Sequence, residues 1–148
     1  ADHAMRQVAA ARAAIRLATP QLRQRLRANL DVFADAIGAS VTSPIVPIVV
    51  GDEESALAAS AELLRAGFLV PAIRPPTVPK GSARLRVALS AAHEPADLHA
   101  LARALHTVVR GLPGSARAGS GAESAPASYR LGAPRPPREG IHIPNSLI

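Results

Sequence analysis

The 148-residue chain is 48% hydrophobic and 2% aromatic and carries a formal net charge of +6, which suits one modest domain or a piece of a longer protein. Cysteine is absent and no apolar run approaches the ~18 residues of a membrane span, so we expect a cytoplasmic protein without disulfides, thiolate metal sites or membrane contact. The positive charge comes from arginines spread along the chain, and the few aromatic residues cannot form base-stacking platforms, so we expect no nucleic-acid partner.

The first forty residues predict two helices. Residues 2–18 are alanine-rich with apolar side chains at helical spacing, and the chain opens inside this pattern. Thr19 and Pro20 suit the N-cap and first position of a second helix, which Gly38 ends. The apolar stripe of this second helix comprises Leu22, Leu26, Leu30, Phe33 and Ile37.

The middle of the chain predicts a strand followed by a helix. Residues 44–50 are rich in β-branched side chains, as in a buried strand, and Pro47 indicates either an edge strand or a strand start. Asp52 suits the N-cap of a third helix, and Gly67 suits its end. The buried stripe expected for this helix comprises Leu57, Ser60, Ala61 and Leu64.

Two further strands are expected over residues 68–73 and 84–90, the latter alternating between apolar and polar side chains. Pro95 begins a last helix, whose expected polar face comprises His99, Arg103, His106 and Arg110. The order α-α-β-α-β-β-α predicts an α+β domain over residues 19–111, with helices on one face of a small antiparallel or mixed sheet. Residues 112–148 lack periodicity and predict a disordered tail or linker.

The proline-rich loop over residues 72–81 carries the candidate site residues. Arg74 precedes a proline, which favours an extended backbone and a stiff stem for a guanidinium that suits a carboxylate, although pairing with a nearby acid is the alternative. Thr77 either contacts substrate or closes a turn. Lys80, the only lysine, lies between Pro79 and Gly81, which favours a solvated turn over a Schiff base. The five histidines show no metal-ligand spacing.

Three segments together resemble the C-terminal domain of the α-oxoamine synthases, which are pyridoxal-phosphate enzymes of aminotransferase fold type I. These segments are residues 43–48 (SPIVPI), 67–79 (GFLVPAIRPPTVP) and 83–93 (ARLRVALSAAH), and the resemblance extends over residues 1–110. Within the family, the AIRPPTVP run is most similar to the 8-amino-7-oxononanoate synthases of biotin biosynthesis.

The resemblance implies an acyltransferase that condenses L-alanine with a pimeloyl thioester, of CoA or a carrier protein, to 8-amino-7-oxononanoate, CO2 and thiol. Arg74 would hold the amino-acid carboxylate, and Thr77 would contact substrate. The family's Schiff-base lysine belongs to a Ser/Thr-x-x-Lys motif of the large domain, which Lys80 does not match. The resemblance therefore implies that pyridoxal 5'-phosphate is bound by a large domain missing from this chain, with residues 1–18 leading in from it.

Two alternatives stay open. The chain alone is expected to be inactive and to work with the rest of the synthase and a homodimer mate, but it is alternatively a non-catalytic truncated module that binds a partner. The second alternative is that the chain is the C-terminal domain of another α-oxoamine synthase, similar to glycine C-acetyltransferase.

Overall fold

The computed structural model describes residues 2–112, which form four helices and a three-stranded sheet. The predicted element order and the α+β class are confirmed. The predicted tail lies, from residue 113 onward, outside the described residues. None of the helices within residues 2–112 is long and apolar enough to cross a membrane. The elements are α1 (Asp2–Leu17), α2 (Pro20–Ile37), β1 (Ile45–Gly51), α3 (Glu53–Arg65), β2 (Ala72–Ile73), β3 (Ala83–Ala88) and α4 (Pro95–Arg110).

The sheet is antiparallel and has the strand order β1-β3-β2. Because β3 lies between the other two strands, α3 carries the chain across from one edge of the sheet to the other. Pro47 lies in the edge strand β1, opposite Arg86 of β3, which confirms its expected edge position. An edge strand is paired on one side only, so it accepts a residue that has no N–H to donate.

The second strand is shorter than predicted, since only Ala72–Ile73 pair with β3 instead of residues 68–73. The preceding residues are used to leave α3: Gly67 has a φ of 93°, and the N–H of Phe68 donates to the Leu63 carbonyl at 2.8 Å. The Val70 carbonyl accepts from the Ser60 hydroxyl at 2.6 Å. This segment is thus tied to the helix, because the chain must complete a Schellman turn before it can join the sheet.

The core lies between one face of the sheet and the helices α2, α3 and α4. The alternating residues of β1 and β3 supply the sheet side, and the opposite strand positions stay outside the core. The side chains that are almost completely buried and largest are Phe33, Ile37, Val46, Ile48, Leu63, Leu85, Val87, Leu98 and Leu105.

The predicted buried stripe of α3 was wrong. Leu57 and Leu64 are 44% and 59% exposed, whereas Ala56, Ala59 and Leu63 have no exposed surface. Both stripes repeat at helical spacing, so periodicity cannot choose between them in an alanine-rich helix. The buried stripe packs toward the core, and the two exposed leucines point away from it.

The first helix contributes nothing to this core, because none of the residues of α1 is buried. Its apolar side chains Met5, Val8 and Ile15 are all more than half exposed. The stripe predicted for α2 is buried only toward its C-terminal end, and Leu22 at the other end is 45% exposed. The first helix and the start of the second therefore extend beyond the sheet.

The last helix buries one residue that the sequence placed on its polar face. His106 is 7% exposed, together with the expected Leu98, Leu101, Ala102 and Leu105. Its Nε2 atom is fully buried and has no hydrogen-bond partner among residues 2–112. The buried face of α4 is therefore wider than its apolar stripe and includes a histidine next to that stripe.

Candidate functional site

The connection between β2 and β3 is the candidate site, and two turns shape it. The Arg74 carbonyl accepts from the backbone N–H groups of Thr77 at 3.1 Å and Val78 at 3.4 Å. The Pro79 carbonyl accepts from the N–H of Ser82 at 3.1 Å and from its hydroxyl at 2.6 Å. The Pro75–Pro76 peptide bond is cis. The loop therefore has a defined backbone between two paired strands.

The guanidinium of Arg74 reaches the start of α3. Its Nη1 atom donates to Oε1 of Glu53 at 2.7 Å, and the two side chains are 46% and 49% exposed. A half-exposed pair of this kind contributes about 0.2–1 kcal/mol to stability. The loop arginine is thus held by an acid, but only through one contact and within reach of solvent.

The N-terminus of α3 concentrates negative charge beside Arg74. Asp52 caps the helix, and its Oδ1 accepts from the Ser55 backbone N–H at 2.8 Å. Hydrogen bonds from the backbone and the side chain of Ser55 lower the pKa of the Asp52 carboxyl. Glu53 and Glu54 follow in the first turn, where the helix dipole favours acids. This cap fixes the position from which Glu53 meets the loop.

Thr77 lies on the same turn as Arg74 and is exposed. Its backbone N–H closes the turn, while its hydroxyl has no hydrogen-bond partner within residues 2–112. The backbone thus makes the turn, and the hydroxyl is available to a ligand. Lys80 is exposed beside Gly81, which has a φ of 79°, in keeping with the expected turn lysine.

Two further arginines, Arg84 and Arg86, lie on the uncovered face of the sheet, and the sequence pattern assigned them no role. Arg84 is paired with Val49 and Ile73, and Arg86 with Pro47, so all five side chains share one face. Arg86 is exposed and has no ion pair or side-chain hydrogen bond within the described part of the chain. The alternation of the 84–90 run was a sufficient signal for both positions, because it placed Arg84 and Arg86 opposite the buried leucines.

Histidine and asparagine side chains shape the turn after β3. Nδ2 of Asn29 donates to the carbonyls of Ser90 and His93, both at 2.9 Å, and Asn29 is 5% exposed. The Ser90 N–H donates to Nδ1 of His93 at 3.1 Å. His93 is therefore part of the turn. No group of three or more potential metal ligands occurs within residues 2–112.

Comparison with curated proteins finds relatives named 8-amino-7-oxononanoate synthase. The chain is 55% identical over 89 residues to a putative 8-amino-7-oxononanoate synthase of Caulobacter vibrioides, covering 60% of this chain and 23% of the relative. It is 54% identical over 100 residues to the 8-amino-7-oxononanoate synthase of Methylobacterium sp. strain 4-46, covering 66% and 26%. The chain thus spans about a quarter of the length of these relatives. No family model matches it.

Comparison with solved structures finds structures of SPT, some of them with PLP. One structure of SPT matches with a TM-score of 0.58 and 26% identity, covering 63% of this chain and 27% of that one. SPT with a PLP internal aldimine matches with a TM-score of 0.54 and 29% identity, covering 60% and 24%. A serine palmitoyltransferase of S. paucimobilis with a bound PLP–myriocin aldimine matches with a TM-score of 0.53.

Sequence identity and fold therefore agree. The chain is homologous to a part of the 8-amino-7-oxononanoate synthases, within the α-oxoamine synthase family, and it has the fold of the C-terminal domain of fold type I pyridoxal-phosphate enzymes.

Proposed function

We propose that this chain is the C-terminal part of a cytoplasmic acyltransferase that condenses L-alanine with a pimeloyl thioester to 8-amino-7-oxononanoate. Residues 1–18 lead in from a large domain, and residues 19–111 form the small domain. The observation that carries the proposal is the identity of 54% over 100 residues to a synthase of that name. Identity to the SPT structures is only 26–29%, which favours the alanine-using enzyme over a sister synthase.

In this proposal Arg74 holds the carboxylate of the amino acid. Its guanidinium is half-exposed on a loop fixed by its own turns, and it uses one donor in the contact with Glu53. The remaining donors of the planar fork have the geometry for a bidentate carboxylate contact. Thr77 contributes its hydroxyl from the same turn, where no residue of the described chain occupies it.

Arg86 is a second candidate for the same task. It is exposed on the uncovered sheet face and has no acidic partner within residues 2–112, whereas Arg74 has Glu53. Pro47, the partner of Arg86 on β1, lies on the same face, and its apolar side chain cannot compete for the guanidinium. Arg74 and Arg86 are therefore both to be substituted, and the effect of each on the use of L-alanine is to be compared.

The residues of this chain do not fit the pyridoxal phosphate that the family uses. A Schiff base needs a lysine amine, and the only lysine, Lys80, is exposed on a turn. The chain has no tryptophan, and its single tyrosine, Tyr129, lies outside the described residues. We therefore assign the cofactor to the large domain, and we expect the chain alone to be inactive.

The test begins with the coding sequence upstream of Ala1. An in-frame large domain with a Ser/Thr-x-x-Lys motif supports the proposal, and a start codon close to Ala1 supports the non-catalytic module. In the complete enzyme, Arg74→Ala should lower kcat/KM for L-alanine by about 10- to 150-fold, the value of one charge-assisted contact. The KM for the acyl thioester should change much less.

Controls separate the residues and the substrates. Arg65→Ala removes an exposed arginine that pairs with Glu62 on α3, and it should leave both substrates unaffected. Arg86→Ala is measured beside Arg74→Ala, and an effect on alanine confined to Arg86 would reassign the carboxylate contact. Release of free thiol with glycine or serine in preference to alanine would identify a sister synthase.

A further inference from the structure

The contact between the Glu53 carboxylate and the Arg74 guanidinium joins two segments whose backbones are held by hydrogen bonds. Glu53 is the first residue of α3, and the Asp52 cap fixes that helix start through a 2.8 Å hydrogen bond from the Ser55 N–H. Arg74 directly follows the paired residue Ile73 of β2, and its carbonyl is held by the turn to Thr77. The contact between Arg74 and Glu53 thus joins two fixed elements, which makes it a feature of the fold.

The ion pair between Arg74 and Glu53 has features that allow a ligand carboxylate to replace Glu53. It uses a single pair of atoms, Nη1 and Oε1, and both side chains are about half exposed. An exposed single contact of this kind is weak, since water competes for both partners. A carboxylate that meets the guanidinium fork with both oxygens makes the stronger interaction.

We propose that Glu53 is an internal counter-ion that holds Arg74 in position when no ligand is present and competes with the ligand carboxylate. This inference rests on the proposed function, in which Arg74 binds a carboxylate. When the ligand arrives, the carboxylate of Glu53 leaves Nη1, and its negative charge stays nearby at the start of α3. Glu53 therefore weakens the binding of the ligand carboxylate, but it keeps the Arg74 guanidinium oriented before the ligand arrives. It is a positioning residue.

The test uses the full 148-residue chain and three variants, Glu53→Gln, Glu54→Gln and Arg74→Gln. Acetate and L-alanine are the probes, titrated at constant ionic strength while the Arg74 Nε–Hε signal is followed by NMR. Glu53→Gln should tighten the Kd about two- to five-fold, as expected for loss of an exposed ion pair. Glu54 is the adjacent acid in the same helical turn, so Glu54→Gln matches the change of net charge without the contact.

The outcomes separate this inference from the proposed function. If Glu53→Gln binds no more tightly than Glu54→Gln while wild type binds through Arg74, the counter-ion role is overturned and the role of Arg74 stands. If Arg74→Gln still binds the probes as wild type does, judged by the remaining backbone signals, the carboxylate role of Arg74 fails as well. An Arg74 signal that neither probe moves, in wild type or in Glu53→Gln, also overturns both assignments.

Discussion

The side chain of Asn29 on α2 donates to the Ser90 carbonyl, 2.9 Å away, and so ties the second helix to the turn that follows β3. The same amide nitrogen also donates to the His93 carbonyl at 2.9 Å. Asn29 is 5% exposed, so its amide is largely shielded from water. Asn29 thus links α2 to the end of the strand that carries Arg86.

We expect Asn29→Ala to lower the free energy of unfolding by about 1–3 kcal/mol, since it removes two part-buried hydrogen bonds between α2 and the turn after β3. Chemical denaturation of the 148-residue chain measures this. Gln24→Ala, on the exposed part of the same helix, is the control and should stay within about 0.5 kcal/mol of wild type. Equal effects of the two substitutions would remove the structural role of the Asn29 amide.

Two adjacent leucines of α3 test which face of that helix is buried. Leu63 has no exposed surface, whereas Leu64 is 59% exposed. We expect Leu63→Ala to cost about 2–5 kcal/mol of unfolding free energy, because it removes buried methyl groups and leaves a cavity. Leu64→Ala should change the unfolding free energy by less than about 0.5 kcal/mol.

The same denaturation experiment measures both leucine variants, so the chemical change is matched and only burial differs. A larger loss for Leu64→Ala would contradict the orientation of α3 and would restore the stripe predicted from the sequence.

The Asp52 cap should make stability depend on pH. Hydrogen bonds from Ser55 lower the pKa of Asp52 in the folded chain, so the folded state binds this proton less readily than the unfolded state. The stabilisation is therefore fully present above the unfolded-state pKa of about 4 and is lost as the pH falls through the lower folded-state pKa. Asp52→Asn keeps a capping side chain but removes the titration.

Denaturation midpoints of wild type and Asp52→Asn are compared between neutral pH and pH 2. The difference between the two proteins should be constant near neutral pH and should shrink as the solution is acidified. A difference that does not depend on pH would show that the Asp52 carboxylate contributes nothing through its charge.

The buried imidazole of His106 provides a substitution that should not destabilise the chain. Its Nε2 atom has no hydrogen-bond partner within residues 2–112, so burial of this nitrogen carries an uncompensated cost. We expect His106→Leu to keep or raise the free energy of unfolding, by up to about 2 kcal/mol. Thermal and chemical denaturation measure it.

His99→Leu is the matched control, because His99 lies on the same helix but is only half-buried. It should change the unfolding free energy by less than about 0.5 kcal/mol. A loss of more than about 1 kcal/mol in His106→Leu would mean that the imidazole makes a stabilising contact.

Local signals in the sequence were sufficient for the starts and ends of the helices. Thr19 caps α2, where its hydroxyl accepts from the Leu22 N–H at 3.3 Å, and Gly38 ends that helix with a φ of 70°. Asp52 caps α3 in the same way. Each of these signals acts within a few residues, so no knowledge of the rest of the fold was needed.

The length of the second strand could not be read from its residues. The apolar run over residues 68–73 suits a strand, but its first half completes the turn out of α3. Burial of His106 is a similar case, because helical periodicity placed this side chain on the polar face whereas the fold buries it. Neither outcome follows from the apolar pattern of the sequence.

The sequence by itself determined the order of the elements, the helix caps and the resemblance to the α-oxoamine synthases, since these depend on short segments. Tertiary structure alone decided which face of α3 is buried, because two stripes had the same period and only packing against the sheet distinguishes them. It also decided that Glu53 meets Arg74, a contact across 21 residues of chain. The loop arginine was visible in the sequence, but its counter-ion required the fold.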